Sequence, residues 1–352
     1  MQEIQDILKN FFDHGVVGIE ENKIGHINST YVVDLETSNK VLLQKINTNV
    51  FKDVDIVMNN IVLCTQHIRE KLEAAGENPS RRVLKVYPTK TGEYYYRDAQ
   101  DQCWRVYNFI DDAKTYSECH DPKLFETIGF AFAQFVEELA DFGASQLKEC
   151  IPDFHNTPKR LDNFRKSLAK DKLLRAENAL AEIKFIDTNA HFSDYITGKL
   201  DKGILPLRVT HNDTKINNIM IDNDTKQPIC VVDLDTIMPG SLLYDFGDAI
   251  RSGASSAAED EADLSKVNFK LEMYEAYVRG TMKALGDSIT AEEIEGLPYG
   301  AFLMTFECGM RFLTDYLDGD TYFKIDYEDH NLVRTKNQFK LCQDMIDIFK
   351  LK

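Results

Sequence analysis

Between residues 209 and 218 the chain carries a carboxylate, a cation and an amide at a spacing suited to moving a phosphoryl group. The pattern is His-x-Asp-x-Lys-x-x-Asn, formed by His211, Asp213, Lys215 and Asn218. Phosphoryl transfer asks little covalent chemistry of a protein. It needs a carboxylate to meet the acceptor hydroxyl and take its proton, a cation beside the transferring group, and hard oxygen ligands for Mg²⁺. Asp213 and Lys215 are therefore the catalytic candidates, and Asn218 is a metal-ligand candidate. Downstream, the apolar run 229–232 reads as a buried strand that ends at Asp233-Leu234-Asp235. An acidic residue at the mouth of such a strand suits the principal metal ligand, so Asp233 takes that role and Asp235 is the second candidate. Taken singly, each of these residues would suit an Asx-rich turn; the ordered set carries the specificity.

A short irregular loop can aim three side chains inward only if strands anchor both ends. Residues 205–210 are a strand-like lead-in, 219–222 a second strand, and 223–228 a turn cluster rich in Asn, Asp and Pro. Asp245-Phe246-Gly247 spells the metal-binding tripeptide of protein kinases. It lies too far from Asn218, and no buried strand leads into it. Asp245 and Asp248 instead fit the opening of a helix, where carboxylates favour the positive end of the helix dipole, and where they would brace the catalytic loop.

Upstream, residues 2–13 fit an amphipathic helix with Ile4, Ile7, Leu8 and Phe11 on one face. Strands at 16–24, 31–35 and 41–46 form a meander like that of a kinase small lobe. The polar turn 25–30 would lie over nucleotide phosphates and offers Gly25, Asn28, Ser29 and Thr30. The third strand should bring a cation to the phosphates. Lys45 is the candidate, but adjacent Gln44 lies on the opposite strand face, so a one-residue change of register exchanges the two. The helix at 51–75 has no glutamate before Glu70, which leaves the strand cation without its usual helical partner. Strands at 83–87, 94–98 and 103–110 follow, with Trp104 in the core and the backbone of Tyr107, Asn108 and Phe109 placed to meet adenine. The expected fold is α+β and bilobal. A small antiparallel sheet lobe with one long helix spans residues 1–110, and a mostly helical lobe spans 111–352. Helices are expected at 125–142, within 156–201, and at 266–285, 291–318 and 328–349, with an acidic loop at 252–263.

Composition narrows the function classes. The chain has 352 residues, 43% hydrophobic and 11% aromatic, which suits a globular protein with a large core. No apolar run approaches the ~20 residues of a membrane span, and the polar, acidic start is unlike a signal or transit peptide. Seven scattered cysteines without a C-x-x-C pair suggest reduced thiols and a cytoplasmic setting. No zinc pattern and no Walker-type phosphate loop occurs. A net charge of −17 argues against nucleic acid as partner. It also means that nucleotide phosphates would be held by local cations and Mg²⁺ against an unfavourable overall field.

Three stretches together resemble the aminoglycoside phosphotransferase/choline kinase superfamily: 211–218 with the catalytic pattern, 232–240 with the D-L-D segment, and 244–251. The flanking stretches 25–28, 43–47, 306–316 and 330–334 are similar to its bacterial N-acetylhexosamine 1-kinase branch. The resemblance covers nearly the whole chain. It implies a protein-kinase-like fold and ATP- and Mg²⁺-dependent phosphorylation of a small hydroxyl acceptor. In that branch the acceptor is the anomeric hydroxyl of GlcNAc or GalNAc. The resemblance implies sugar contacts from His26, Asp213, Arg311 and Tyr322. Arg311 is a cation inside an apolar helix, costly unless partnered. A sugar hydroxyl or an internal pair with Glu307 or Asp315 would each serve. A kinase of an aminoglycoside, amino alcohol or other sugar, and a non-catalytic kinase-fold binding protein, are the alternatives.

Overall fold

The computed structural model describes residues 2–22 and 27–352. The chain folds into two compact units. The first comprises residues 1–115, 138–151 and 219–238, and the second residues 116–137, 152–218 and 239–352. The first unit thus draws in the hairpin after the catalytic loop, well beyond the expected boundary at residue 110.

The first unit opens with α1 (Gln2–Leu8), whose Ile4, Ile7 and Leu8 are buried. A meander follows, of β1 (Val16–Asn22), β2 (Ser29–Leu35) and β3 (Lys40–Ile46). Then come α2 (Val54–Ala74), the short strands β4 (Val86–Tyr87) and β5 (Tyr96–Arg97), and β6 (Cys103–Asn108). The sheet order is β1-β2-β3-β6-β4 with β5 on β6, and every pairing is antiparallel. One sheet face is closed by α1: Ile4, Ile7, Leu8 and Phe11 pack with Val33, Leu35, Val41, Leu43, Trp104 and Val106. These alternate positions follow from the two-residue period of a strand. Trp104 is core, and its indole N–H donates to Asp98 at 2.7 Å.

The two-residue strand β7 (Ala113–Lys114) closes the N-terminal stretch. In the second unit, α3 (Pro122–Glu138) buries Phe125, Phe132 and Phe135. It is followed by α4 (Thr157–Lys170), α5 (Leu180–Asn189) and α6 (Tyr195–Asp201). The catalytic loop is entered by β8 (Arg208–Thr210). Two strands leave it in the first unit, β9 (Ile219–Asp222) and β10 (Pro228–Val231), paired antiparallel with Val231 opposite Ile219. The second unit resumes with α7 (Leu242–Gly253), α8 (Leu271–Leu285), α9 (Ala291–Asp318) and α10 (His330–Phe349). α9 starts on a capping box of Thr290 and Glu293. An antiparallel sheet in the N-terminal part and helices in the C-terminal part make the mixed α+β architecture expected of a kinase-like fold. No helix among the described residues is long and apolar enough to cross a membrane.

Candidate active site

The catalytic loop is held by α7. The Asp245 carboxylate accepts both the His211 N–H (2.8 Å) and the Asn212 N–H (2.7 Å). Asp248 accepts the Thr214 N–H at 3.0 Å, and the Thr214 hydroxyl donates to the Asp245 carbonyl at 2.6 Å. The chain must turn sharply here, and Asn212 sits at φ 63°, a region that Asn tolerates better than most residues. Asp245 and Asp248 therefore brace the loop, as their spacing suggests. Burial pushes the Asp245 carboxyl up to about 6 despite the opposing pull of His211 and the two backbone N–H groups. Burial acts the same way on Asp248, but Arg251 and Lys215 outweigh it and hold that carboxyl low.

Within the loop, Lys215 Nζ lies 2.7 Å from Asp213 Oδ1. The Asn218 amide donates to the Asp213 carbonyl (2.8 Å) and to Asp213 Oδ2 (3.2 Å). The Asp213 N–H in turn donates to His211 Nδ1 at 3.3 Å. His211 is wholly buried, edge-on to Phe132. Burial would lower the Lys215 pKa, but Asp213 and Asp248 raise it, so the cation persists. A carboxylate, a cation and an amide are thus joined in one hydrogen-bonded group.

Asn218 immediately precedes β9, and Asp233 follows β10 two residues after the partner of Ile219. Within the first unit the hairpin register therefore places Asp233 at the end of the hairpin where β9 begins. Asp233 is exposed and left-handed, at φ 61°. A carboxylate and an amide carbonyl are hard oxygen donors and suit Mg²⁺. Among the described residues no cluster of three or more His, Cys, Asp or Glu could hold a metal by itself.

Asp235 is engaged otherwise. Its carboxylate forms an ion pair with Arg105 Nη1 and accepts from the Asn28 amide at 2.6 Å. Asn28 Oδ1 accepts the Asn47 N–H at 2.9 Å. Gln44 lies opposite Arg105 in the β3–β6 register, on this same face. Lys45, opposite Trp104, falls on the other face with its Nζ 5.7 Å from the indole. Of the two residues that the sequence leaves open, the register turns Gln44 toward the Asp235 side. Ser29 and Thr30 belong to β2, not to a turn, and Thr30 Oγ1 accepts from Gln44 at 3.1 Å. Gly25 and His26 lie outside the described residues. In the segment expected to meet adenine, Tyr107 is buried. Asn108 is tied to the Lys85 N–H (2.6 Å) and the Ser80 carbonyl (3.0 Å), and Phe109 lies 5.9 Å from Lys40 Nζ.

In the second unit, Arg311 takes neither carboxylate anticipated for it. Glu307 is buried and accepts from Thr157 Oγ1 (2.7 Å), with His155 Nδ1 at 3.1 Å. Burial would raise the Glu307 carboxyl, yet His155 holds it below the usual range. Asp315 accepts the N–H groups of Thr321, Tyr322 and Phe323 at 2.8–2.9 Å and so builds the turn that carries Tyr322. Among the described residues Arg311 makes no ion pair. Its guanidinium rests 5.8 Å from the Tyr322 ring and 5.4 Å from Phe323, and Tyr322 is 71% exposed. Nearby, His155 Nε2 and Arg160 Nε are buried without hydrogen-bond partners. Burial and the Arg311 charge both lower the Arg160 pKa. Arg105, His155 and Arg160 are absent from the sequence-based set. The visible signal for Arg105 was one cation in the apolar run 103–110.

Solved structures share the fold. A spectinomycin phosphotransferase in complex with ADP and spectinomycin has a TM-score of 0.61 at 15% identity, over 99% of this chain and 98% of that one. A choline kinase from Cryptosporidium parvum Iowa II has a TM-score of 0.61 at 14% identity, over 99% and 97%. An amicoumacin kinase in complex with AMP-PNP and Ca²⁺ has 0.62 at 11%, over 96% and 93%. At these identities the likeness establishes the fold. The family model for the phosphotransferase enzyme family, APH, matches residues 18–278 and takes in the whole catalytic loop. Because that match spans most of the chain, the protein belongs to the APH phosphotransferase family.

Proposed function

We propose that the protein transfers the γ-phosphoryl group of ATP to the anomeric hydroxyl of an N-acetylhexosamine, giving the sugar 1-phosphate. The observation that carries the acceptor reading is Arg311. It is a cation on α9 between the buried Met310 and Phe312, its two candidate internal partners are otherwise occupied, and its guanidinium lies against the exposed Tyr322 ring. A guanidinium donor beside an aromatic face suits a neutral, hydroxyl-rich ring. The Arg311 charge helps lower the Arg160 pKa, so two cations neighbour each other here, which disfavours a cationic aminoglycoside or choline at this place. His26 remains a proposed sugar contact.

In the reaction, Asp213 orients the acceptor hydroxyl and takes its proton as oxygen bonds to the γ-phosphorus and the bond to the β-phosphate oxygen breaks. Lys215 offsets charge on the moving group. Asn218 and Asp233 are the proposed Mg²⁺ ligands, and Mg²⁺ when bound supplies charge neutralisation at the phosphates. Asn28, Thr30 and the backbone of 107–109 are proposed nucleotide contacts.

The test is a panel of acceptors with Mg-ATP: GlcNAc, GalNAc, other hexoses, choline and kanamycin, with the phosphate located by ³¹P NMR. An anomeric phosphate on an N-acetylhexosamine is expected. Phosphate on choline or kanamycin alone would overturn the sugar reading and leave the catalytic loop assignment standing.

A further inference from the structure

Arg105 is the largest of the fully buried side chains, at 1% exposure, and it faces Asp235 at 3%. Burying an ion pair is costly, and a chain keeps one only when geometry and further hydrogen bonds compensate. Here they do. Arg105 Nε and Nη2 both donate to Gln44 Oε1, at 3.0 and 2.8 Å. Nη1 pairs with Asp235 and has Met58 Sδ at 3.8 Å. The guanidinium is further placed over the Tyr107 ring, 5.0 Å away. With its donors so committed, Arg105 has little left for a ligand. What it holds is the D-L-D turn: Asp235 is two residues from Asp233, whose backbone is left-handed at φ 61°, a conformation costly for a residue with a side chain. The turn is clamped at other points too. Cys150 Sγ reaches the Asp235 carbonyl at 3.2 Å, and the Asn60 amide from α2 donates to the Ile237 carbonyl at 2.8 Å. Neither clamp grips the Asp235 side chain. Arg105 and Asn28 do.

We infer that Arg105 is a positioning residue of the nucleotide site: from β6, through Asp235, it fixes the turn that presents Asp233. Asp235 on this view is a strut and not a second metal ligand. The inference rests on the functional reading above, because Asp233 is taken there as the Mg²⁺ ligand.

The experiment measures dissociation constants of a fluorescent ATP analogue with the full chain, with and without Mg²⁺. The readout is the gain in affinity that Mg²⁺ confers. Arg105→Met should cut that gain at least about tenfold, the scale of removing one partner from a charged, hydrogen-bonded pair, and leave Mg²⁺-free affinity near the wild-type value. Gln44→Met loosens the guanidinium while sparing both charges, so it should fold if Arg105→Met does not, and should cut the gain about threefold. An undiminished or larger gain in Arg105→Met would overturn the inference, since freeing Asp235 would then have released a metal ligand. An equal loss of affinity with and without Mg²⁺ in Gln44→Met would overturn it too, by making Gln44 a direct phosphate contact. A wild-type chain that binds no nucleotide overturns the functional reading and this inference with it; a variant that keeps the full gain overturns this inference alone.

Discussion

Asp213 is held between a lysine and an amide that leave its carboxylate side chain 21% exposed. Asp213→Asn keeps the shape but removes the proposed base. Turnover should fall by about 10²–10⁴-fold, the usual worth of a positioned general base, toward the low end on the proposed sugar reading because an anomeric hydroxyl is more acidic than an ordinary alcohol. Nucleotide affinity should stay unchanged, and steady-state kinetics beside equilibrium titration would check both. Arg311→Ala should raise the acceptor KM at least about tenfold, the scale of a lost charged hydrogen bond, with the ATP KM unmoved; an unchanged acceptor KM would remove Arg311 from the pocket. Asp245 invites a pH experiment. Its folded pKa, about 6, lies above the ordinary 3.8. The folded state therefore binds the extra proton, and this group's contribution to stability is complete below pH 3.8 and lost as pH rises through about 6. A shift of that size is worth about 3 kcal/mol. Denaturant midpoints from about pH 4 to 7 should fall for wild type relative to Asp245→Asn, and parallel curves would place the titration elsewhere.

At the level of elements, the loop is as well placed as α7 allows. α7 is pressed against α9, and a Cβ added to Gly300 would sit 2.7 Å from the Leu243 carbonyl oxygen. Gly300→Ala should cost about 1–3 kcal/mol through overpacking, and because α7 carries Asp245 and Asp248 it should also lower kcat. Gly280→Ala is the contrast: its Cβ would lie 2.7 Å from the Phe130 backbone nitrogen, where α8 meets α3. It should lower the melting temperature comparably while leaving the acceptor KM alone. Thermal unfolding and kinetics on both variants separate a general loss of packing from a loss of loop support. Much of this level was legible beforehand. The span 291–318 coincides with α9, and Thr290 with Glu293 signals its start. Boundaries drifted where local pattern was weak: α1 ends at Leu8, although Phe11 beyond it still packs in the core.

For the molecule as a whole, charge dominates. At −17 the chain repels a nucleotide triphosphate at long range, and salt shortens that reach to a Debye length of about 8 Å at 0.15 M. Nucleotide association rates should therefore rise with ionic strength at fixed Mg²⁺. Stopped-flow measurements that show a fall instead would mean a local cationic field outweighs the total. The grouping of residues 138–151 and 219–238 with the N-terminal sheet has no signature in local sequence, because it depends on contacts far apart along the chain.

The place of Asp233 after a strand and the bracing part of Asp245 and Asp248 were readable from spacing, since each depends on a short local pattern or on one strand-to-loop transition. The sequence alone also determined the family, because the APH motifs are local strings. Strand register and long-range pairing belonged to the tertiary structure. A shift of one residue turns a side chain to the opposite face of a strand, so only the β3–β6 register could turn Gln44 toward Arg105 and Lys45 toward Trp104. Likewise Asp235 pairs with a residue 130 positions earlier (235 − 105), and Glu307 with His155, 152 positions earlier. Such partners are chosen by packing in three dimensions, and that choice gave Asp235 to Arg105 and Glu307 to His155.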